Sequence, residues 1–515
     1  MELVTSIGYV INLILLCVFY MHMFQLNSYF FKKHAHWMKT NWKKILIQFL
    51  LILVPTILIV INQQIANIIA IIILGFSIIY NFPKGKAKVK FKVTNRVKRM
   101  FITEAILVLL TLLIAGIQNG IEIKLGILCV LSPVICVIAN FINKPIEKMR
   151  QNHYIKEAKK ILEGMPNLTV IGVTGSYGKT SVKNFLEKAL SGKYEVLTTP
   201  LNYNTTMGVV RTIREKLKPT HQIFICEMGA TKPGDIKEIC DLVKPKLGII
   251  TAIGPQHLES FKSIDNIIKT KFELYDSVKE NGGVVFLNYD NEYIAKQEVD
   301  MKMFSYGVNN NTFDYNASEM ISSSEGLSFK VFDPKTKEKI EFKTKLIGKH
   351  NVINLTGAIG VANYLGVQME RIVPRIREIK SVEHRLELHS HGNLTIIDDS
   401  YNSNPISSKS AIDTLGEFAG TKIIVTPGLI ELGEEEEKYN FELGQYMTKV
   451  CDYIFLVGKE HSKPIFEGVL SKKFKEDKIF IVNSPEEAMK QISTLQVQGQ
   501  VTVLLENDLP DNYNL

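Results

Sequence analysis

One stretch limits the fold more than any other: Thr169-Val-Ile-Gly-Val-Thr-Gly-Ser-Tyr-Gly-Lys-Thr-Ser-Val-Lys183. A β-branched apolar run ends in a glycine-rich turn, and Gly178-Lys179-Thr180 then opens a helical pattern from Ser181 to Leu190. Strand, turn and helix in that order aim backbone N–H groups at a helix N-terminus, where they cradle phosphate oxygens. Lys179 then reaches the β- and γ-phosphates of a nucleotide, and the Thr180 hydroxyl lies on Mg²⁺. The spacing Gly-x4-Gly-Lys-Thr is not met, because Val173 holds its first glycine position; the loop reads Thr174-Gly175-Ser176-Tyr177-Gly178-Lys179-Thr180. The bland alternative is a glycine-rich strand-to-helix turn with no ligand, and the residues downstream decide between the two.

Upstream of this loop lie five apolar runs, about 6–25, 45–61, 65–80, 102–117 and 125–142. A membrane span needs roughly 17–25 apolar residues, which predicts an α-helical membrane region over residues 1–145 with about five transmembrane helices. The first run has no basic flank before it and no small-residue cleavage site, so it reads as a span rather than a signal peptide. Asn62-Gln63-Gln64 predicts a tight hairpin between the second and third. Of the net charge of +9, residues 1–150 carry 17 Lys+Arg against 4 Asp+Glu, so the rest of the chain is slightly acidic. The basic excess therefore belongs to the membrane region and does not call for nucleic acid. It clusters after the first run (Lys32, Lys33, Lys39, Lys43, Lys44), after the third (Lys84 to Arg99) and after the fifth (Lys144, Lys148, Arg150). The positive-inside rule then places the N-terminus outside and residue 150 onward in the cytosol, as a multi-pass protein of the cell membrane. Lys84, Lys86, Lys88, Lys90 and Lys92 form an alternating strip that suits anionic headgroups or a solvated loop. Glu104 is expected near a membrane boundary, snorkelling. The six cysteines are scattered without ligand spacing and read as reduced thiols.

From residue 150 strands alternate with helices, which predicts α/β architecture with a largely parallel sheet. Strands are expected at 168–173, 222–226, 247–251 and 283–287, with helices at 233–243 and 264–278. A polar alternating stretch (327–332, 339–346) predicts a β-hairpin insertion. A second alternation gives strands at 394–397, 422–425, 453–457, 478–482 and 501–505, so the domains expected are 150–380 and 381–515. Ligands in such sheets bind beyond the carboxyl ends of strands. Glu227 stands there after Ile223-Phe-Ile-Cys226, able to hold a nucleotide-bound Mg²⁺; the bland reading is an ion-paired structural glutamate. His257 follows Thr251-Ala-Ile-Gly-Pro-Gln as a candidate second-metal ligand or a plain loop histidine. Lys271 lies on a helix among Lys269 and Glu273, where charge pattern alone reads as a solvated face.

Ten pieces in order resemble the Mur ligase superfamily, over about residues 150–515: Thr174–Ser181; Asn202-Tyr-Asn204 with Met207-Gly-Val209; Glu227-Met-Gly229 with Pro233-Gly234; Ile253–Glu259; Lys271; Leu287-Asn-Tyr-Asp290; Gly348–Asn354; His384-Arg-Leu-Glu387; Asp398–Pro405; and Glu431-Leu-Gly433. The resemblance implies a P-loop central ATPase domain followed by a Rossmann-like C-terminal domain. It also implies an ATP-dependent acid–amino-acid ligase that releases ADP and phosphate through an acyl phosphate. Carried over by position, Thr174, Gly175, Ser176, Gly178, Lys179, Thr180 and Ser181 hold phosphates. Thr180, Glu227, His257 and Lys271 serve two Mg²⁺ sites, with Lys179, Glu227, His257 and Lys271 catalytic. Lys271 falls where the family often carries a carbamylated lysine; Lys269 is the alternative. Asn288, His350 and Asn354 lie towards the nucleotide, and Arg385 and Asp399 where the second domain closes over ATP. Asn202, Asn204, Thr205, Tyr401, Asn402 and Asn404 face the substrates. These are a carboxylate acceptor (a UDP-muramoyl peptide or a lipid-linked precursor) and an amino acid or dipeptide amine. Soluble members carry a UDP-sugar-binding domain where this chain has its apolar runs, so the acceptor stays open. The competing classes are a catalytically silent scaffold and an ATP-driven transporter; no Leu-Ser-Gly-Gly-Gln-like signature supports the latter.

Overall fold

The computed structural model describes residues 2–508 except 62, 83–89, 117–119, 201–202 and 402, and these divide into two units, 2–153 and 154–508. Asn202, Asn402, Asn62 and most of the Lys84–Lys92 strip therefore lie outside the described residues.

The first unit is helical: α1 (Glu2–Leu26), α2 (Phe31–Thr40), α3 (Trp42–Ile61), α4 (Gln64–Asn81), α5 (Asn95–Ile114) and α6 (Ile121–Glu163). Among the described residues α1, α3, α4 and α6 are long and apolar enough to cross a membrane. The fourth apolar run forms α5, whose 20 residues include Arg96, Lys98, Arg99 and Glu104. Large apolar side chains such as Ile57, Val60, Ile72, Leu109 and Leu113 face outward, while polar groups pair inside. Tyr20 Oη donates to Gln48 Oε1 at 3.0 Å and Gln48 Nε2 donates to Asn81 Oδ1 at 2.9 Å. That inside-out arrangement suits a lipid solvent, which leaves a polar group no partner outside the bundle. Glu104 does not snorkel: it sits mid-helix, 2 % exposed, beside the thiols of Cys17 and Cys136. The fifth run lies in one continuous helix, α6, which extends to Glu163 and runs through Pro133 and Pro145.

The second unit holds two sheets. The first contains β1 (Thr169–Thr174), β2 (Val196–Thr198), β3 (Ile223–Glu227), β4 (Leu247–Ile250), β5 (Val284–Asn288), β6 (Met303–Val308), β7 (Tyr315–Ser323), β8 (Gly326–Phe332) and β9 (Lys339–Thr344), in the order β2-β3-β1-β4-β5-β6-β7-β8-β9. β2 to β7 run parallel, and β8 and β9 join antiparallel. The predicted hairpin is thus the edge of this sheet rather than a separate insertion. The central strands β1, β3, β4 and β5 bury both faces, as parallel sheets must. Ile171, Val173 and Ile225 face α7 (Lys179–Leu190) and the helix His350–Tyr364, while Val170, Phe224 and Cys226 face the helices Thr206–Lys216, Asp235–Val243 and Ile264–Glu280. Gly172 in β1 lets the last of these lie close: a Cβ there would stand 2.5 Å from Leu274 Cδ1. The second sheet holds β10 (Glu387–His391), β11 (Leu394–Asp399), β12 (Thr421–Thr426), β13 (Tyr453–Val457), β14 (Ile479–Val482) and β15 (Val501–Glu506), ordered β10-β11-β15-β12-β13-β14. All its neighbours are parallel except β10 with β11. The expected strands all form. Short β2, and β6, β7 and β10, were not expected.

Candidate active site

The loop 175–178 leaves β1 between β3 and β4, whose carboxyl ends lie level with it: Val173 pairs Glu227, and Thr174 pairs Ile250. Gly175 has φ +152°, and a Cβ there would stand 2.1 Å from Thr251 Oγ1 and 2.9 Å from the Ala252 carbonyl oxygen. Only glycine fits a turn this tight against β4. Side chains then tie the loop down. Thr174 Oγ1 donates to Met228 O at 3.0 Å, Ser176 Oγ bonds Gly254, and Thr251 Oγ1 donates to Tyr177 O. Lys179 Nζ donates to the carbonyls of Gly175 (2.7 Å) and Ser176 (3.0 Å) at the head of α7. Burial lowers its pKa to about 8, opposed by Glu227 and assisted by Arg385.

Glu227 closes the group. Thr180 Oγ1 donates to Glu227 Oε1 at 3.1 Å, Asn204 Nδ2 donates to the same oxygen at 3.2 Å, and Lys183 Nζ lies 3.0 Å from Oε2. Burial alone would raise this carboxyl, but Lys183, Lys179 and the hydrogen bonds outweigh it and hold the pKa below the usual range. Lys183, one turn beyond Lys179 and 2 % exposed, is a residue that sequence reasoning passed over. Its signal was a cation on the apolar flank of α7, next to Val182.

Lys271 is buried and Lys269 exposed, so burial separates the two candidates. Burial, then the nearby Lys179, drive the Lys271 amine far below its ordinary pKa, against the weaker pull of Glu273 and Asp235. Glu273 spends its carboxylate on the backbone N–H groups of Gly234 (2.7 Å) and Lys237 (2.8 Å). His257 precedes the short helix Leu258–Phe261, in the left-handed region (φ 53°), and its Nδ1 contacts Glu431 Oε2. Asn288 Nδ2 donates to Thr251 O at 2.7 Å, and the Asn354 carboxamide packs on Gly178. Ser181 follows Thr180 in the first turn of α7.

The second sheet presents Arg385 between two ties: His384 Nδ1 to Asp398 Oδ2 at 2.7 Å, and Leu386 N donating to Asp399 Oδ1 at 3.2 Å. The Arg385 guanidinium stacks on the Tyr401 ring, 4.6 Å from its centroid. Burial and then Glu506 raise the Asp399 pKa to about 7, with Arg385 pulling the other way. His350 Nδ1 meets Ser410 Oγ at 2.8 Å, and burial with Arg385 nearby lowers its pKa to about 4. Two residues expected on the substrate face act as caps: Asn404 Oδ1 caps the helix Pro405–Gly416 and Thr205 caps Thr206–Lys216. Glu506 was missed. It ends β15, fully buried, accepting from Ser403, Ser408 and Thr426.

A phosphate loop at the carboxyl edge of a parallel sheet, a buried carboxylate bonded to its threonine, and a second α/β sheet bringing an arginine near its lysine define a nucleotide-dependent ligase core. Residues 173–362 match the Mur ligase middle domain and residues 384–505 the Mur ligase, glutamate ligase domain. The chain belongs to the Mur ligase family, ATP-dependent enzymes that form C–N bonds between carboxyl and amino groups. It is 30 % identical over 338 residues to the UDP-N-acetylmuramoyl-tripeptide–D-alanyl-D-alanine ligase of Bacillus subtilis, covering 64 % of this chain and 71 % of that protein. The Haemophilus influenzae ligase of the same name is 30 % identical over 355 residues, covering 67 % and 76 %. Among solved structures, MurF from Acinetobacter baumannii matches with a TM-score of 0.63 at 27 % identity, covering 70 % of this chain and 77 % of that one. MurF from Thermotoga maritima in complex with ADP matches at 0.62 and 25 %, covering 71 % and 82 %.

Proposed function

We propose that this chain is a membrane-anchored amide ligase of cell-wall or cell-surface precursor synthesis, joining an amino acid or D-alanyl-D-alanine-like dipeptide to a carboxylate acceptor through an acyl phosphate. The observation that carries this is the convergence of Lys179, Thr180 and Glu227 at one strand edge, with the Lys271 amine close enough to Lys179 to feel its charge. The acceptor carboxylate attacks the γ-phosphorus, the bond to the ADP oxygen breaks, and the acyl phosphate forms. The amine then attacks the acyl carbon, loses its proton, and expels phosphate. Lys179 steadies the charge that builds on the phosphates, and the loop N–H groups orient them. Arg385 and Asp399, from the second sheet, close over the nucleotide and keep water from the acyl phosphate.

The donors fit a hard divalent cation, because the Thr180 hydroxyl and an ionised Glu227 offer oxygens 3.1 Å apart. Mg²⁺ held there supplies charge neutralisation for the transferring phosphoryl group. Lys271 is suited to carbamylation, since a buried amine beside another cation is held neutral and nucleophilic. It adds to CO₂ with loss of a proton and becomes a carboxylate-like donor for a second cation. Asn204 belongs to the same cluster through Glu227, and Tyr401 lies where an acceptor would approach. We also propose the division 1–145, 150–380 and 381–515, with five spans and the catalytic part cytosolic.

The test is phosphate release by the detergent-solubilised chain with ATP and Mg²⁺. Release requiring both UDP-muramoyl-tripeptide and D-alanyl-D-alanine marks the cell-wall reaction, and release only with membrane lipid extract and amino acids marks a lipid-linked acceptor. Lys179→Ala is expected to abolish release, by at least 10²–10³-fold. Wild-type turnover in that variant would sink the loop assignment.

A further inference from the structure

His257 and Glu431 meet across the two sheets of the second unit, and each pays a local conformational cost to do so. Both are non-glycine residues in the left-handed region, φ 53° and 63°. Such backbone is disfavoured for a residue with a Cβ, and glycine would relieve it. What a glycine would remove is the side-chain contact between His257 Nδ1 and Glu431 Oε2. Neighbouring residues hold the two loops together: Glu259 N donates to Glu431 O at 3.3 Å, Leu258 packs against the core of the second sheet, and Leu432 is buried in that core. The contact also fixes the imidazole. With Nδ1–H donating to the carboxylate, the lone pair resides on Nε2.

We propose that Glu431 is a positioning residue: from the second domain it grips His257 of the first and presents His257 Nε2 to the second divalent cation. Docking of the second domain thereby completes a metal site that the first domain holds only in part. This rests on the reading of His257 as a metal ligand. It adds that the ligand's orientation comes from the other domain, so nucleotide-domain chemistry waits on closure.

The test is Mn²⁺ binding, counted by electron paramagnetic resonance on the full chain in detergent with a non-hydrolysable ATP analogue. Nucleotide affinity is measured in parallel to confirm that each variant is folded. Partners that orient metal-bound histidines are worth 10–100-fold in metal affinity. Glu431→Ala is therefore expected to weaken the second Mn²⁺ by roughly 10–100-fold while the first Mn²⁺ and the nucleotide bind as in wild type. Glu431→Gln keeps an oxygen for Nδ1–H and is expected to recover the second Mn²⁺ to within a few-fold. An unchanged second Mn²⁺ in Glu431→Ala, with His257→Ala losing it, overturns the positioning role. An unchanged second Mn²⁺ in His257→Ala overturns the underlying ligand reading instead. Loss of both Mn²⁺ ions and of nucleotide in Glu431→Ala, or no recovery in Glu431→Gln, makes the contact merely structural and also overturns the proposal.

Discussion

At Glu227 a single carboxylate gathers Thr180 and Asn204 on one oxygen and Lys183 on the other. Lys271, by contrast, is a buried amine whose nearest strong influence is another cation. The two lysines of its helix should therefore part company. Lys271→Ala is expected to lose on the order of 10²–10³ in turnover, partly restored by short carboxylic acids that replace the carbamate, whereas exposed Lys269→Ala stays within a few-fold of wild type. Full activity in Lys271→Ala would remove the carbamate. Asp399 gives a pH signature. Its pKa is raised to about 7, so between about pH 4 and 7 the folded chain holds a proton there that the unfolded chain lacks. Its contribution to stability then falls as pH rises through that window. Asp399→Asn, which keeps an oxygen for Leu386 N–H, is expected to raise the Tm relative to wild type more at pH 8 than at pH 5. A Tm difference that does not change with pH would mean the carboxyl titrates normally. Glu227 was legible because an acid ends an apolar strand, and the same rule applied to Val501-Thr-Val-Leu-Leu505 would have found Glu506. Lys183 was harder, because a lysine on an amphipathic helix normally marks the wet face.

The phosphate loop works as an element because β4 leaves it no room. Gly175→Ala would drive a methyl into Thr251 and the Ala252 carbonyl, so the loop must move or β4 must. We expect nucleotide affinity to fall roughly 5–150-fold, for a strain of roughly 1–3 kcal/mol, measured by calorimetric titration with ADP. Affinity within twofold of wild type would mean the loop tolerates that shift. The strand–loop–helix order was readable because each piece has its own period and punctuation. Sheet order was not: nothing local in the sequence says that β1 lies between β3 and β4, since that follows from crossover connections packing helices on both faces. Strand β2 has three residues, too few for alternation to register. The cap roles of Asn404 and Thr205 escaped for a related reason. An Asn or Thr before a helix reads equally as a cap and as a ligand, and only the hydrogen bonds of the folded chain distinguish them.

At the scale of the whole molecule, the proposed membrane anchoring turns on how often the first unit crosses the bilayer, because parity sets orientation. On the proposed reading the catalytic part, which uses ATP, lies in the cytosol. Five crossings then put the N-terminus outside, and four put it inside. The helix that decides is α5, long enough to span but outside the four that are apolar enough by composition. Its 20 residues reach about 30 Å at 1.5 Å per residue, matching the hydrocarbon core. Arg96, Lys98 and Arg99 stand in its first turns, where long cationic side chains reach the headgroups. Glu104, mid-helix, is screened from lipid by its burial beside Cys17 and Cys136, so the charge that lowers the helix's hydropathy is not charge presented to the bilayer. Hydropathy sums over all faces of a helix, whereas the bilayer meets only one. We therefore expect α5 to cross. All six native cysteines are buried, so a cysteine introduced at exposed Glu2 is the reactive one. Glu2→Cys should react with a membrane-impermeant maleimide in intact cells, while Lys472→Cys in the catalytic part should react only after permeabilisation. If Glu2→Cys is also protected until the membrane is opened, the count is even and α5, between the outward crossing of α4 and the inward crossing of α6, lies along the outer surface.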